Sequence, residues 1–318
     1  MSHHLIDISA PSCVITCRHG QLICRPDNGP ERAVPMEDVG AVLINSFSAT
    51  VHSRVFLEAV RCGTIIIFCE DFKPSSLVLP ANRFTDTALT RAQLGLSPAA
   101  RKALWMKTVT AKCLNQAAVA ERFSPDLPQT RRLRQAAGSP RPDKESTCAR
   151  LYWAAVSAHL GLRRFKRDRQ RPGVNGLLNY GYAVLLARIL QRLVAVGVDP
   201  VCGISHVVRE RATPLAYDLM EPFRVAVDTR VAAWVRERQR DLSDPRDRAD
   251  ETVFPVTQEF KRMVQGFTGV PAPYKRKELT LDHVIVQALQ GFREAVLHRR
   301  PGAYTPWTLK DSRWDGSL

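Results

Sequence analysis

Long apolar runs and Cys-x-x-Cys pairs are missing from this 318-residue chain, and each absence removes a class of protein. No apolar run approaches the roughly 18 residues that a membrane-spanning helix requires. No basic amphipathic segment stands alone, so anionic membrane is a weak partner and no membrane association is expected. No Cys-x-x-Cys occurs among the eight cysteines at 13, 17, 24, 62, 69, 113, 148 and 202. They sit mostly inside apolar runs such as Ile65-Ile66-Ile67-Phe68-Cys69. That favours buried free thiols in a cytoplasmic protein over disulfides or a zinc site. Met1-Ser2-His3-His4 opens directly into a strand-like pattern, so no secretory leader is expected.

Acidic residues are also short in most of the chain. Net charge is +15. Residues 1–80 carry six Lys/Arg and eight Asp/Glu, a net −2. Residues 81–318 hold 40 and 23, a net +17. This asymmetry implies an anionic partner for the second part, with nucleic acid first in line. The apolar fraction of 45% is enough for a sizeable core. At roughly 100–200 residues per domain, the length allows two or three domains.

The pattern predicts an α+β protein. A small β-rich N-terminal unit (1–80) and a linker (81–96) precede a larger all-α unit (97–318). Cys13–Cys17 and Gln21–Cys24 flank Arg18-His19-Gly20, a hairpin signal. Asp38–Ile44 and Thr64–Cys69 read as buried strands, and Ser76–Leu79 as a short last one. Thr50–Arg61 has near-helical spacing and contains His52, read as structural, before Gly63 ends it. Pro80-Ala81-Asn82-Arg83 and Asp86-Thr87 mark the linker.

From about residue 97 the pattern is helical to the end. One helix opens at Pro98 and carries Lys102, Lys107 and Lys112 on its polar face, until Pro125 and Pro128 break it. Asp143 is a plausible N-cap for the next, placing Glu145 in its first turn. That helix ends near Gly161. Arg163–Arg171 follows, with six bases in nine residues: Arg163, Arg164, Lys166, Arg167, Arg169 and Arg171. It reads as a solvated loop or a phosphate contact. Arg131 to Arg171 sums to +9, a composition that gives salt-dependent binding to polyanions. Asn175 to Val196 is a long apolar helix. Leu215–Arg238, Phe254–Phe267 and Leu281–Leu297 are further helices, and residues 237–251 an exposed connection. The tail from Pro301, with Trp307 and Trp314, either drapes on the helical part or is loose.

Gly203-Ile204-Ser205-His206 is followed, twelve residues after the histidine, by Asp218-Leu219-Met220-Glu221-Pro222-Phe223-Arg224. A histidine and acids inside a cationic surface suggest a divalent metal acting on a phosphodiester. Read alone, His206 also fits a satisfied structural histidine.

Several motifs occur in an order and spacing that resemble a known family. They are Asn175-x-x-Leu178-Asn179-Tyr180-Gly181-Tyr182, Gly197-x-Asp199-Pro200, Gly203-Ile204-x-His206 and Leu215-Ala216-x-Asp218-Leu219-Met220-Glu221-Pro222-Phe223-Arg224. The Glu145 helix with Tyr152-Trp153, and Pro35-Met36-Glu37-Asp38-Val39, fit the same pattern. Together they resemble the CRISPR-associated integrase Cas-one, most like its type II branch, over almost the whole chain. The resemblance implies a β-rich N-terminal dimerisation domain, a helical catalytic domain and a homodimer. Two such dimers would flank a Cas-two dimer in a heterohexamer, with other type II CRISPR proteins as further partners. The implied reaction is insertion of short DNA fragments into a CRISPR repeat array. By motif position, Glu145, His206 and Glu221 would be the catalytic metal ligands, with Mg²⁺ or Mn²⁺ as cofactor.

Such chemistry is a transesterification in which a 3′-hydroxyl attacks a phosphodiester. It needs charge neutralisation and in-line geometry more than covalent protein chemistry. A nitrogen ligand makes Mn²⁺ at least as acceptable as Mg²⁺. Asp218 lies three residues before Glu221 and can share its helix face. It either orients a ligand or water, or satisfies backbone N–H groups at a helix start. Asn179 and Tyr180 hold the site, touch DNA or pack the core. Arg224 pairs with Glu221 or binds phosphate. The same site would also suit a general metal-dependent DNA nuclease in repair. A basic DNA-binding scaffold without enzymatic activity is the third reading.

Overall fold

A computed structural model describes residues 4–78, 86–140, 143–163, 165–206 and 213–309. Arg164, Trp314 and the Pro80–Arg83 stretch lie outside the described residues. The N-terminal strands are β1 (His4–Ile8), β2 (Ser12–Arg18), β3 (Gln21–Pro26), β4 (Arg32–Pro35), β5 (Val39–Ile44) and β6 (Ser48–Val51). Helix α1 (Ser53–Cys62) precedes β7 (Ile65–Glu70) and β8 (Lys73–Val78).

Two four-stranded sheets result, ordered β1-β5-β7-β8 and β4-β3-β2-β6. The β2–β3 hairpin pairs Arg18 with Gln21. Its two loop residues, His19 and Gly20, both have positive φ, as a two-residue hairpin demands. The expected helix over Thr50–Arg61 starts only at Ser53. Thr50 and Val51 instead pair in parallel with Val14 and Ile15, where β-branched side chains fit a pleated surface. His52 is left exposed at the N-cap position of α1.

β1, β5 and β7 run parallel, and β5 and β7 are apolar at nearly every position. Parallel strands are buried on both faces, and these show why. Ala41, Leu43, Ile65 and Ile67 face the core of the helical part. Val42, Ile44 and Ile66 face a second core under the other sheet. The β-rich part therefore shares its packing with the helices.

The helical part contains α2 (Thr87–Leu94), α3 (Pro98–Phe123), α4 (Pro128–Ala137), α5 (Lys144–Leu160) and α6 (Val174–Ala195). Then come α7 (Pro214–Met220), α8 (Arg224–Asp241), α9 (Pro245–Arg248) and α10 (Gln258–Gln265). Helix α2 occupies the stretch read as a linker. Asp86 caps it by accepting from the Leu89 N–H at 3.0 Å, and Leu89 and Gln93 are buried. The basic residues Arg131, Arg132 and Arg134 lie on α4. The Leu215–Arg238 pattern is interrupted by a 3-10 turn, Glu221–Phe223, with Pro222 inside it. Proline lacks the N–H that a continuous α-helix would use there. The Phe254 helix begins only at Gln258, capped by Thr257.

The helical part is not helical throughout. β9 (Pro271–Tyr274) and β10 (Lys277–Thr280) form an antiparallel hairpin before α11 (Leu281–Leu297). Its loop residues Lys275 and Arg276 have positive φ, which no helical pattern anticipates. The connection read as exposed ends in a 3-10 turn, Glu251–Val253, and the Glu251 carboxylate is buried against Arg171 at 2.8 Å. The tail drapes on the helices through residue 309. Trp307 is fully buried and stacks on Phe223 with ring centroids 5.5 Å apart. All eight cysteines are free thiols. Among the described residues, no helix is long and apolar enough to cross a membrane.

Candidate active site

The site is assembled by α3, α5 and the turn between α7 and α8. Gly181 on α6 lets α8 approach: a Cβ there would lie 2.4 Å from Val227 Cγ1. Helix α3 carries Lys112 and Asn115 three residues apart, on one face. Asn115 is completely buried and binds backbone from two distant segments. Its Nδ2 donates to the Pro222 carbonyl at 2.8 Å and the Trp307 carbonyl at 3.1 Å. Its Oδ1 accepts from the Leu309 N–H at 2.7 Å. The 3-10 turn that presents Glu221 is thus pinned between α3 and the tail.

Glu145 and Glu221 meet at one cation. Lys112 Nζ lies 2.7 Å from Glu145 Oε1 and 2.7 Å from Glu221 Oε2. Arg224 Nη2 holds the other Glu221 oxygen at 2.8 Å. Burial alone would raise the Glu221 carboxyl pKa. The Arg224 guanidinium and then the Lys112 ammonium outweigh that and hold it at about 2. Burial likewise opposes charge on Lys112, but Glu221 and Glu145 push its pKa above the ordinary value. The Lys112–Glu221 contact meets the distance of an ion pair without the geometry of a hydrogen bond. Glu221 Oε2 is buried and has no hydrogen-bond donor. Lys112 does not lie on a solvated polar face, as its spacing with exposed Lys102 suggests; its side chain is only 13% exposed.

His206 is held by a separate device. Asp218 is fully buried and accepts backbone N–H bonds from Ile204 (2.7 Å), Ser205 (3.0 Å) and His206 (3.2 Å). Its Oδ1 also lies 2.6 Å from His206 Nδ1. An ionised carboxylate only accepts, so the ring donates from Nδ1 and its tautomer is fixed. Of the two jobs weighed for it, Asp218 orients His206; the backbone N–H groups it satisfies belong to the 204–206 loop and not to a helix start. The loop's close turn requires glycine: a Cβ on Gly203 would sit 2.4 Å from the His206 carbonyl oxygen. Arg101 donates to the Gly203 carbonyl at 2.6 Å, and Trp105 packs edge-on against the imidazole. Gln93 of α2 braces the preceding Asp199 turn through two backbone bonds.

The described residues contain no group of three His, Cys, Asp or Glu side chains drawn together as a finished metal cage. Glu145 and Glu221 converge directly, while His206 is fixed by its own loop. The donors still suit a hard divalent cation. Two carboxylate oxygens already face one positive centre, and one of them lacks a hydrogen-bond donor.

The remaining expected residues separate. Tyr180 is buried away from this centre, and its hydroxyl donates to Asp7 on β1 at 3.1 Å. Asn179 orders the basic loop, accepting from Arg167 at 2.7 Å and donating to the Arg169 carbonyl at 2.9 Å. Arg167 is therefore built in rather than solvated, and also lies 5.5 Å from the Tyr182 ring centroid. Arg171 is tied to Glu251. Arg163, Lys166 and Arg169 are exposed. Arg167, Arg169 and Arg224 line a cavity of about 310 Å³ with Lys73 of β8, Tyr182 and Tyr217. Among the described residues, no acid lines it.

Beneath Tyr182 lies Asp228, fully buried and receiving hydroxyls from Tyr182 and from Tyr152, the latter at 2.9 Å. Burial raises its pKa to about 6 against the two hydrogen bonds and Arg224. A carboxyl whose folded pKa is raised stabilises the fold below its unfolded value. That contribution is lost as pH rises through the folded pKa. Between pH 3.8 and about 6 the wild type should lose on the order of 3 kcal/mol relative to Asp228→Asn. Denaturant unfolding of both proteins across that window measures the difference.

The profile of the family described as CRISPR associated protein Cas1 matches residues 6–267. A protein named CRISPR-associated endonuclease Cas1 from Neisseria meningitidis serogroup C (strain 8013) is 31% identical over 210 residues. That match covers 64% of this chain and 67% of the relative. Among solved structures, one titled "Casposase bound to integration product" matches with a TM-score of 0.72 and 18% identity, over 99% of this chain and 95% of that one. Another, titled "Cas6-RT-Cas1--Cas2 complex", has a TM-score of 0.73 and 16% identity, covering 98% of this chain and 37% of that one. With most of its length matched by the family profile, this chain belongs to the CRISPR associated protein Cas1 family.

Proposed function

We propose that the chain is a metal-dependent DNA endonuclease and integrase that joins short DNA fragments to a CRISPR repeat. The relative's name, CRISPR-associated endonuclease Cas1, supports the reaction class. The observation that carries the reading is the meeting of Glu145 and Glu221 at one cation, 2.7 Å from each, close to a basic cavity that shares Arg224 with the site. Glu145, Glu221 and the His206 Nε2 would hold a divalent ion, Mg²⁺ or Mn²⁺. When bound, that ion neutralises phosphate charge and makes a hydroxyl a better nucleophile.

The chain's own residues do the rest. Arg224, Arg169 and Lys73 bind backbone phosphates and direct a strand along the cavity. Tyr217 and Tyr182 give that strand a flat wall. Asp218 keeps the imidazole oriented and its Nδ1 protonated, as acceptors behind metal-bound histidines do. Buried Asn115 and Trp307 fix the Glu221 turn and keep water from its back. Asp218→Asn should therefore weaken Mn²⁺ binding about 10–100-fold while leaving fold content unchanged. A calorimetric Mn²⁺ titration reads this.

We also take residues 1–80 as a dimerisation unit, 81–96 as the connection and 97–318 as the catalytic unit. Exposed Phe47 and Leu57 on the N-terminal part support self-association. A Cas2 partner is supported by the neighbouring complex titled with that protein. The type II assignment rests on glutamate at 221 in the matched motif.

The test incubates the full chain with 3′-hydroxyl DNA fragments, a supercoiled plasmid carrying a CRISPR repeat, and Mg²⁺ or Mn²⁺. Joined products that disappear with a chelator are expected. Cleavage without joining would favour the repair nuclease, and chelator-insensitive binding without products would leave only a scaffold.

A further inference from the structure

The position that a divalent ion would take between Glu145 and Glu221 is filled by a side chain of the protein itself. Lys112 Nζ makes 2.7 Å contacts to both carboxylates, from a stem that α3 packs into the interior. An ammonium–oxygen contact of this length exceeds a metal–oxygen bond by only about 0.6 Å. Ammonium and metal therefore compete for one place. The charges also balance: Glu145 and Glu221 supply two negative charges, Lys112 and Arg224 two positive ones. A divalent ion entering without displacing Lys112 would meet a neutral cluster and a repelling ammonium at contact distance. One entering as Lys112 leaves meets a net negative site. Arg224 cannot play the displaceable part. It is anchored on the other oxygen of Glu221 and lies 4.6 Å from the Tyr182 ring centroid.

We infer that Lys112 is a built-in counter-ion that holds the two-carboxylate site assembled without metal, and that divalent metal binds by displacing its ammonium. The inference rests on the metal-site reading given above. It has two consequences. The site is preformed before metal arrives, because the carboxylates do not repel each other. Metal affinity is lower than the same carboxylates would otherwise give, because each binding event breaks two short ion pairs.

The test uses the full chain and Lys112→Met, a substitution of similar length without charge. Removing a unit positive charge at contact distance should tighten Mn²⁺ binding about tenfold or more, read by electron paramagnetic resonance of free Mn²⁺. The metal-free melting temperature of Lys112→Met should fall, and Mn²⁺ should raise it more than in the wild type. A second measurement keeps the idea testable if Lys112→Met folds poorly. In the ¹⁵N-labelled wild type, a paired ammonium gives a protected side-chain cross-peak, identified by its absence from Lys112→Arg. Diamagnetic Mg²⁺ should abolish that peak in step with saturation. A peak that persists in saturating Mg²⁺, or Mn²⁺ affinity equal or weaker in Lys112→Met, overturns displacement. If neither protein binds Mn²⁺ at all, the metal site itself is wrong. That outcome is separate from metal binding with Lys112 still in place.

Discussion

His206→Ala should retain DNA binding and lose metal-dependent strand transfer by about two to three orders of magnitude, the scale set by one lost transition-state contact. The imidazole lies on the loop surface of the site and carries little of the fold, whereas Asp218 behind it is fully buried. The variant therefore separates chemistry from stability better than the carboxylates do. Glu145→Ala and Glu221→Ala should abolish transfer too, but Glu221 neutralises Arg224 and Lys112 in the interior. Removing one partner of a buried ion cluster costs roughly 3–5 kcal/mol, so Glu221→Ala should also unfold earlier. Transfer assays on His206→Ala, with filter binding to the same DNA fragments at fixed salt, decide the matter. Wild-type transfer rates in that variant would remove His206 from the site.

The second large effect concerns stability alone. Lys261 on α10 is buried against Asp7 of β1 at 3.4 Å, both side chains nearly inaccessible. Its ammonium also reaches Ser9 and sits 4.8 Å from the Phe72 ring centroid. This cluster ties the first strand to the helices. Burial raises the Asp7 carboxyl above its ordinary range even though Lys261 pulls it down, so the pair as a whole gives little net stability. Breaking it is another matter. Asp7→Ala would leave an ammonium buried without its counter-ion, and about 3–5 kcal/mol of folding stability should go. Asp7→Ala with Lys261→Met should recover much of that loss. Urea midpoints of the two proteins test the asymmetry, and equal midpoints would refute it.

The sequence was most readable where one period dominated a segment. The β2–β3 hairpin, β5, β7, α3, α5, α6 and α11 all follow from alternation or helical spacing with clear end signals. It was least readable where distant chain decides local form. Thr50 and Val51 look helical in a window but are claimed by β2. Thr87–Leu94 looks like punctuation because Pro80 and Asn82 precede it, yet Asp86 caps a helix there. The β9–β10 hairpin is hidden by its two prolines and by a loop of lysine and arginine rather than glycine. At the site, Glu145, His206 and Glu221 were legible only through ordered motifs. Lys112 and Asn115 were not, since a lysine every five residues along α3 reads as a wet face. The clue was Asn115-Gln116 amid the apolar positions of that helix: buried amides there imply backbone to bind.

Asn115 also orders events in time. Its three bonds reach 107, 192 and 194 residues along the chain. Closing such long loops is entropically costly, and contacts of this separation form slowly and after local helices. The Glu221 turn can be held against α3 only once the segment at residues 307–309 has docked. A molecule with its helices formed but that segment loose would already be cationic, yet without a set pair of carboxylates. Incompletely folded copies would thereby lack the site proposed to act on DNA.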